Sequence, residues 1–338
     1  MSTNVLILGV NGQDGTLLSH ILSRENYTIY GLGHNSKQSQ YLPSNLRYLA
    51  QDIRDAEKIS QLIQEYSISQ VYNLSGFSSV AESLTNPTKA LEINFKAVQN
   101  LLRQIYSNSK GQSIRFFQAS SSEMLGPINA RPHNEYSSLN PKSPYAESKA
   151  LAHLETEKYR QSGFFVTCGI LFNHESILRP QKYLSRKVSS GIAAIKLGMQ
   201  EKIGVGNLNL VRDWGAAEEY VQAIKLIMEA DEPSSFIVST NSGHTVKELI
   251  CCTLEAADLN APFESYVSTK EDLLRPNELS ATIGDSSKIE KELNWTAQIS
   301  LKEIMHKMFL QDLSILKSGS APKTNPSILG TFLGEIGK

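Results

Sequence analysis

A tyrosine and a lysine stand four residues apart at Tyr145 and Lys149. Residues at this spacing lie on one face of an α-helix, so the phenol and the ammonium would be neighbours. A phenol normally titrates far above neutral pH, but a nearby positive charge favours its ionised form. The pair therefore predicts a base that takes a hydroxyl proton while hydride leaves the same carbon for a nicotinamide. The alternative is an aromatic core residue beside a solvated lysine.

A run of serines and a glutamate, residues 120–123 (SSSE), comes earlier in the chain, directly after an apolar strand. Ligands of open α/β sheets bind at the carboxyl ends of the strands. A hydroxyl at Ser121 could hydrogen-bond the substrate oxygen that becomes a carbonyl. A carboxylate at Glu123 is unnecessary for simple oxidation, so it indicates a second proton transfer, unless it is a helix cap or a surface residue.

A glycine-rich loop, residues 9–15 (GVNGQDG), follows the first predicted strand and opens a helix. Such a turn brings backbone N–H groups and a helix N-terminus against a pyrophosphate. Its position between strand and helix favours a dinucleotide site over a plain tight turn. The predicted contacts in this loop are Gly9, Asn11, Gly12, Gln13, Asp14 and Gly15.

The loop after the second predicted strand contains no Asp or Glu that could bind a ribose diol. It contains instead His34, Asn35, Ser36 and Lys37, which could accept a 2′-phosphate, so we predict NADP and leave NAD open. Asp52 and Ile53 follow the third predicted strand. The Asp52 carboxylate could bind the adenine amino group, or it could cap the helix that begins near Ala56.

Short apolar runs alternate with amphipathic stretches over the first two-thirds of the chain, as in a parallel sheet wound with helices. The predicted strands are 5–8, 28–32, 46–50, 71–74, 114–119 and 165–171. The predicted helices are 14–24, 56–66, 88–105 and one that carries Tyr145. This pattern predicts the α/β fold class, with a Rossmann-type doubly wound parallel sheet.

The pattern loosens after Gly169, where helices are predicted near 184–197, 218–229, 246–257 and 301–313. We predict a dinucleotide-binding domain over residues 1–169, with some later strands returning to its sheet. A smaller mixed α/β substrate lobe is predicted over 170–317, and a loosely held tail over 318–338.

The composition is that of an ordinary globular chain: 338 residues, of which 40% are hydrophobic and 20% are charged. The 33 basic and 34 acidic side chains nearly cancel, which argues against nucleic acid or an anionic membrane as a partner. No targeting segment is visible, and three cysteines provide no disulfide framework. We therefore expect a soluble cytoplasmic protein. The histidines show no metal-binding spacing, so no metal is predicted.

Seven strings carry a family resemblance: residues 9–15 (GVNGQDG), 118–126 (QASSSEMLG), 141–149 (PKSPYAESK), 169–176 (GILFNHES), 185–187 (SRK), 206–208 (GNL) and 212–215 (RDWG). With residues 275–278 (RPNE) and 284–285 (GD), they resemble the GDP-mannose 4,6-dehydratase family of extended short-chain dehydrogenases. FNHES and RDWG are the most discriminating strings. The similarity covers about residues 4–313.

The resemblance implies conversion of GDP-mannose, or a related GDP-hexose, to its 4-keto-6-deoxy form by a homodimer or homotetramer. Hydride would pass from C4 to NADP, water would leave across C5 and C6, and hydride would return to C6. The implied catalytic residues are Ser121, Glu123, Tyr145 and Lys149, the last two also contacting the cofactor with Leu74. The implied substrate contacts are Ser79, Asn173, Arg186, Lys187, Arg212, Arg275 and Glu278.

Departures from the family pattern cluster around the cofactor-selecting loop and the sugar, at residues 34–37, 74–79 (LSGFSS) and 177–180 (ILRP). They leave open an NADP-dependent 4-reductase or epimerase acting on a related nucleotide sugar. A non-catalytic NADP-binding sensor or scaffold is a third hypothesis. Glu123 separates the first two, because reduction at C4 needs no base at C5.

Overall fold

The computed structural model describes residues 2–109, 113–128, 131–274 and 278–319. Its strands are β1 Thr3–Leu8, β2 Tyr27–Gly33, β3 Arg47–Ala50, β4 Gln70–Asn73, β5 Arg115–Ser121, β6 Val166–Leu171, β7 Asn173–Glu175, β8 Ile203–Val205, β9 Val211–Ala216, β10 Ser235–Val238, β11 Gly243–Thr245, β12 Val267–Thr269 and β13 Ala281–Thr282. Its α-helices are α1 Gln13–Leu22, α2 Ala56–Glu65, α3 Val80–Thr85, α4 Pro87–Leu91, α5 Ala97–Asn108, α6 Pro144–Gln161, α7 Leu184–Lys196, α8 Ala217–Glu229, α9 Val246–Ala256, α10 Ser287–Leu293 and α11 Leu301–Ser318.

The main sheet of the described chain has seven parallel strands in the order β10-β6-β5-β4-β1-β2-β3. Strand β1 is buried on both faces: Val5 and Ile7 pack in one core with α1 and α8, and Leu6 and Leu8 in another with α2 and α5. Because side chains alternate along a strand, a continuous apolar run supplies both faces at once. The predicted Rossmann-type α/β fold is confirmed.

The strand order reverses at β1, which lies between β2 and β4. Crossovers on either side leave a crevice at the carboxyl edge of such a sheet. The loop after β1 opens at this edge, and β5 ends beside it. The topology therefore predicts that the glycine-rich loop and the serine–glutamate run serve one cleft.

A smaller lobe packs α7, α9 and α11 around an apolar core that includes Ile192, Leu249 and Met305. Strand β9 pairs with β7, β11 and β13, so this lobe has a small sheet of its own. Strand β10, late in the chain, lies in the main sheet. Gly169 lies within β6, so the sheet continues past the boundary expected from the sequence.

The helical stretch predicted over 88–105 is interrupted by a π-helical turn, Glu92–Lys96, between α4 and α5. Two short helices, α3 and α10, were not predicted, because neither is long enough to show a clear period. Helix α11 continues to Ser318, the first residue of the predicted tail, and residues 320–338 lie outside the described residues. Within the part of the chain that the structure describes, no helix has the length and apolar character needed to cross a bilayer.

Candidate active site

The loop after β1 turns sharply into the N-terminus of α1. Gly9 has a φ of +81°, and a Cβ there would lie 2.7 Å from the backbone of Ser75. A Cβ on Gly15 would lie 2.5 Å from the Gly9 carbonyl oxygen. Gly12 is the N-cap of α1 and has no side chain to bond the first N–H groups of the helix. The loop can therefore present these N–H groups to an anion at close range.

The side chain of Asn11, in the glycine-rich loop, holds the loop between β2 and β3 in place. The Asn11 Nδ2 donates to the Tyr48 hydroxyl at 3.0 Å, and its Oδ1 accepts from the Ser39 N–H at 3.0 Å. The Tyr48 hydroxyl donates to the Asn35 carbonyl at 2.6 Å. These bonds shape the loop and leave its four predicted phosphate contacts exposed: His34, Asn35, Ser36 and Lys37.

Asp52 lies beside this loop. Its carboxylate pairs with Arg54 at 2.7 Å, and the hydrogen bond from Arg54, together with the smaller effect of His34, lowers its pKa. The N-cap of α2 is Asp55, whose side chain accepts from the Lys58 N–H. The capping role considered for Asp52 is therefore wrong, and its contact with adenine stays a prediction.

Ser121 and Tyr145 meet across the end of the main sheet, because β5 ends at the serine and α6 begins beside the tyrosine. Burial raises the pKa of Tyr145, and a hydrogen bond with Ser121 opposes that rise. The charge of Glu123 and the Tyr183 phenol raise this pKa further. In the protein alone Tyr145 is thus a neutral phenol, and the predicted shift towards phenolate is not seen.

The Ser121 side chain also contacts the backbone of Glu123. Its hydroxyl accepts from the Glu123 N–H at 3.3 Å and caps the short 3₁₀ helix Ser122–Leu125. Glu123 is half-buried, and it lies near enough to Tyr145 to affect the titration of the phenol. The hydroxyl, carboxylate and phenol predicted to be catalytic therefore lie together.

Lys149 lies one helical turn beyond Tyr145, and its Nζ donates to the Ala119 carbonyl at 2.8 Å. Burial lowers the pKa of Lys149 to about 8, although the charge of Asp14 opposes this change. The ammonium is therefore anchored on β5 and faces the glycine-rich loop. It joins these two parts of the predicted cofactor site.

Asn94 is a buried residue of the site that sequence reasoning missed. Its Oδ1 accepts from the Phe77 N–H at 2.7 Å, and its Nδ2 donates to the Phe77 carbonyl at 3.1 Å and to the Ser148 hydroxyl at 2.9 Å. The π-helical turn brings this amide between the loop after β4 and helix α6. The loop that follows Leu74 is thereby fixed to the helix that carries Tyr145.

A second missed feature is an ion pair between Asp14 and His174, which joins α1 to β7. The His174 Nε2 lies 3.0 Å from Asp14 Oδ2, and the ring stacks on Tyr220 with centroids 4.8 Å apart. Gln13 supports the contact, since its Oε1 accepts from the Ser176 hydroxyl at 2.9 Å. The side chains of Gln13 and Asp14 thus bind the FNHES string. The predicted contacts of Gln13 and Asp14 with the cofactor stay a prediction.

The Asp14–His174 pair predicts a pH-dependent contribution to stability. Burial alone would raise the pKa of Asp14, but the charge of His174 and its hydrogen bond lower it to about 2 from an ordinary 3.8. Burial would lower the pKa of His174, but Asp14 raises it above its ordinary 6.5. The ion pair therefore makes its full contribution to stability between pH 3.8 and pH 6.5. It is lost as pH falls from 3.8 towards about 2, and as pH rises through the elevated pKa of His174.

His174→Leu should destabilise the protein by about 1.5–3 kcal/mol, because it removes a charged hydrogen bond from the half-buried Asp14 carboxylate. Urea unfolding measures the difference from wild type, which should be larger at about pH 5.5 than at about pH 9. The exposed His306 on α11 provides the matched control, His306→Leu. A difference that does not change with pH would show that the contact is not ionic.

Arg179 and Tyr183 form a further part of the cleft that the sequence did not reveal. The Arg179 guanidinium carbon lies 3.9 Å from the centroid of the Tyr183 ring, and its Nε lies 3.0 Å from Glu175 Oε2. The Tyr183 and Ser78 hydroxyls are 2.7 Å apart. The positive charge of Arg179 lowers the pKa of both Tyr145 and Asp14. Arg179 and Tyr183 therefore face Tyr145 from the smaller lobe.

The residues predicted at the substrate divide between the loop after β4 and the smaller lobe. Ser79 caps α3 by accepting from the Glu82 N–H at 3.2 Å. Asn173 pairs with Trp214 where β7 joins β9, the strand that carries the buried Arg212. Lys187 is exposed and Glu278 is half-buried. Arg275 lies outside the described residues.

Arg186 has a structural role that the resemblance did not imply. Its Nε and Nη2 contact the buried Asp312 at 2.8 and 2.7 Å, and its Nη1 donates to the carbonyls of Ile177 and Arg179. These bonds tie α7 to α11 and hold the segment before Tyr183. The predicted contact of Arg186 with the diphosphate stays a prediction.

The RDWG and GD strings meet through Asp213. Its buried carboxylate accepts from the Thr240 N–H at 2.8 Å, from the Thr240 hydroxyl at 2.7 Å and from the Gly284 N–H at 3.4 Å. Burial raises its pKa to about 6, although these bonds favour the charged form. Asp213 thus holds together the loops around β9.

The site and the fold agree with a known family. The family model for GDP-mannose 4,6 dehydratase matches residues 6–308. The chain belongs to the GDP-mannose 4,6-dehydratase family. A relative in this family, GDP-mannose 4,6 dehydratase 2 of Arabidopsis thaliana, is 33% identical over 92% of this chain and 87% of its own length.

Solved structures share the fold of this dehydratase-family chain. A dTDP-glucose 4,6-dehydratase from Streptomyces venezuelae with NAD bound has a TM-score of 0.81 at 21% identity, covering 95% of this chain and 99% of its own. A protein from Pseudomonas aeruginosa complexed with NADPH has a TM-score of 0.77 at 21% identity, covering 93% of this chain and 99% of its own. At this identity the likeness concerns the fold alone.

Proposed function

We propose that the protein is a nucleotide-sugar 4,6-dehydratase. It converts GDP-mannose, or a related GDP-hexose, to the 4-keto-6-deoxy sugar. The observation that carries the proposal is the meeting of Ser121, Glu123 and Tyr145 at the end of β5 in a chain of this family. A simple C4 oxidoreductase needs the hydroxyl and the phenol. The carboxylate supplies the base for a second proton transfer.

A nicotinamide dinucleotide fits the residues that surround the switch point of the sheet. The uncapped N-terminus of α1 suits a pyrophosphate, and the close approach of Gly9 and Gly15 to their neighbours leaves no room for a side chain at either position. The loop after β2 and Asp52 lie where they could contact the adenosine, and Lys149 and Tyr145 where they could contact the nicotinamide ribose. Bound nicotinamide would accept hydride from the hexose and return it.

We further propose NADP as the preferred form, because the exposed loop of residues 34–37 carries polar and basic side chains and no carboxylate. Solved structures of this fold hold either NAD or NADPH. Calorimetric titration of cofactor-stripped protein should show tighter binding of NADP. Lys37→Ala should weaken NADP binding about tenfold, the worth of one charged hydrogen bond, and leave NAD binding unchanged.

The control for the cofactor prediction is Lys58→Ala, which removes an exposed lysine from α2. It should bind both cofactors like wild type. Equal or tighter binding of NAD by wild type would contradict the assignment of the loop to a 2′-phosphate.

The first chemical step assigned to the chain is removal of the C4 hydroxyl proton by Tyr145. Because burial keeps this phenol protonated in the protein alone, it needs additional positive charge in the cleft to act as a base. Lys149 contributes part of this charge, and Arg179 lowers the pKa of Tyr145 from the other side. Ser121 holds the oxygen that becomes the carbonyl.

The second step is loss of water across C5 and C6. The new carbonyl at C4 acidifies the C5 hydrogen, because the carbanion is delocalised as an enolate. Glu123 takes this proton and passes it to the C6 hydroxyl, which leaves as water. The half-buried position of Glu123, beside Ser121, suits a carboxylate that must gain and lose a proton.

Nucleotide binding falls to the smaller lobe in this proposal, through Asn173, Arg186, Lys187, Arg212, Arg275 and Glu278. Arginine suits a diphosphate because its planar fork pairs two oxygens. We also propose a cytoplasmic homo-oligomer, as the family resemblance implies.

Mass spectrometry of the product tests the whole proposal. Purified protein given GDP-mannose and NADP should release a nucleotide sugar lighter by one water. A new product of unchanged mass would indicate an epimerase. A 4-reductase would leave GDP-mannose unchanged, but with a 4-keto nucleotide sugar and NADPH it would form a product heavier by two hydrogens.

A further inference from the structure

Helix α6 is attached to the end of β5 at three consecutive strand residues. Lys149 Nζ donates to the Ala119 carbonyl at 2.8 Å, and Tyr145 is hydrogen-bonded to Ser121. Between these two contacts, the Ser120 hydroxyl lies 3.0 Å from Nδ1 of His153. His153 lies one helical turn beyond Lys149, so it shares a face of α6 with both catalytic side chains.

The His153 ring is buried and is surrounded by polar groups from three elements. Its Nε2 lies 3.8 Å from Glu157 of the same helix, and it is hydrogen-bonded to Cys168 of β6. Arg160 holds Glu157 at 2.9 Å. Ser235 of β10 donates to the same carboxylate at 3.0 Å.

The titratable groups that face His153 are therefore Glu157, Arg160 and Cys168. The Cys168 thiol is in turn fixed by a hydrogen bond with the Thr156 hydroxyl, which lies 3.0 Å from its sulfur. The imidazole is thus held in one orientation. Cys168 and Thr156 are fully buried, so the part of the cluster around the thiol is closed to solvent.

We propose that His153 is a positioning residue for the catalytic centre, acting through Ser120. Successive side chains of a strand project to opposite sides, so the bond from Ser120 to His153 leaves Ser121 facing the cleft. It also sets the rotation of the strand that aims the Ala119 carbonyl at Lys149. Loss of the bond lets residues 119–121 shift, which misplaces both the Ser121 hydroxyl and the Lys149 ammonium.

The inference rests on the proposed function for its kinetic test but not for its structural one. His153→Leu removes the polar partner of Ser120. His153→Asn keeps one, because the amide atoms of asparagine lie as far from Cβ as Nδ1 does. Ser120→Ala removes the same bond from the strand side and is the smallest change to the core.

The kinetic measurements are kcat and KM for GDP-mannose turnover, with kcat followed against pH. We expect His153→Leu and Ser120→Ala to lower kcat between about tenfold and a hundredfold with KM unchanged, as for a small misplacement of catalytic groups. The acid limb of the kcat profile should move to higher pH, because Tyr145 loses the Ser121 bond that lowers its pKa. His153→Asn should retain most of the wild-type kcat. The double variant should be no worse than the worse single one, because both changes break one bond.

The structural measurement is a crystal structure of Ser120→Ala and of His153→Leu, in which the Ser121 hydroxyl should be displaced from Tyr145. Wild-type kcat and an unmoved pH profile in Ser120→Ala would overturn the inference. So would kcat losses that multiply in the double variant, or an unchanged Ser121–Tyr145 contact in both crystal structures. A wild type that forms no deoxy sugar would defeat the proposed function, and the crystal structures would still decide the positioning role.

Discussion

Glu123→Gln should abolish formation of the 4-keto-6-deoxy sugar while oxidation at C4 continues. Glutamine keeps the size of the side chain and most of its hydrogen bonds, but it cannot accept the C5 proton. Removal of a general base typically costs about 10²–10⁴-fold in rate. The 3₁₀ turn capped by Ser121 is a backbone contact, so the substitution should not move Tyr145 or Ser121.

Two signals separate loss of the base from a general loss of activity. In the Gln variant, bound cofactor should still become reduced when GDP-mannose is added, as seen by absorbance. Exchange of the C5 hydrogen with deuterated solvent should stop. Glu147→Gln, which changes an exposed glutamate on α6, is the matched control and should behave like wild type. A Gln variant that forms the deoxy sugar with C5 deuterium at the normal rate would show that Glu123 is structural.

Tyr145→Phe should lower turnover by about 10²–10⁴-fold, because phenylalanine cannot take the C4 hydroxyl proton. The Tyr145 ring is buried against neighbours that a phenylalanine ring would contact equally well, so folding and cofactor binding should be nearly unchanged. Unlike Glu123→Gln, this variant should not reduce the cofactor at all. The two variants therefore block successive steps.

Calorimetry with NADP and single-turnover absorbance measure the two halves of the Tyr145 prediction. Tyr136→Phe is the matched control, since that tyrosine is 90% exposed on a loop and is predicted to have no role. Near-wild-type activity of Tyr145→Phe would show that Tyr145 packs in the core without acting as a base.

Most of the fold was predictable because its strands are buried on both faces. Strand β1 is an uninterrupted apolar run followed by glycines, and helices such as α2 and α5 have one apolar face each. The interruption near Asn94 was not predictable, since a π-helical turn keeps the residue types of an ordinary helix. It depends on the bonds from Asn94 to Phe77 and Ser148, which lie far apart in the chain.

The site was predictable to the extent that its chemistry lies in local strings. The sequence shows directly that Tyr145 and Lys149 are four residues apart and that Glu123 follows a strand. The contacts of His174 and Tyr183 are not visible in it, because their partners are 160 residues away in the case of Asp14 and 105 in the case of Ser78. In isolation each is an ordinary polar residue.

The protonation states and contacts of the charged groups were likewise only partly predictable from the sequence. The sequence suggested that Lys149 favours the phenolate of Tyr145. In the structure, burial raises the pKa of the phenol, and the Lys149 ammonium donates to the Ala119 carbonyl. Asp52 looked equally suited to capping a helix, and only the backbone geometry shows that Asp55 does so. Arg186 matched a phosphate ligand, and only the tertiary structure shows that it also pairs with Asp312.

The sequence by itself determined the doubly wound sheet, the glycine-rich turn and the set of groups that can carry out the chemistry, because periodicity and local spacing follow from backbone geometry alone. The tertiary structure decided which of those groups meet, which are held by buried partners and how their protons are bound. Hydrogen bonds such as that from His153 to Ser120, and the burial that shifts each pKa, exist only once distant segments pack together.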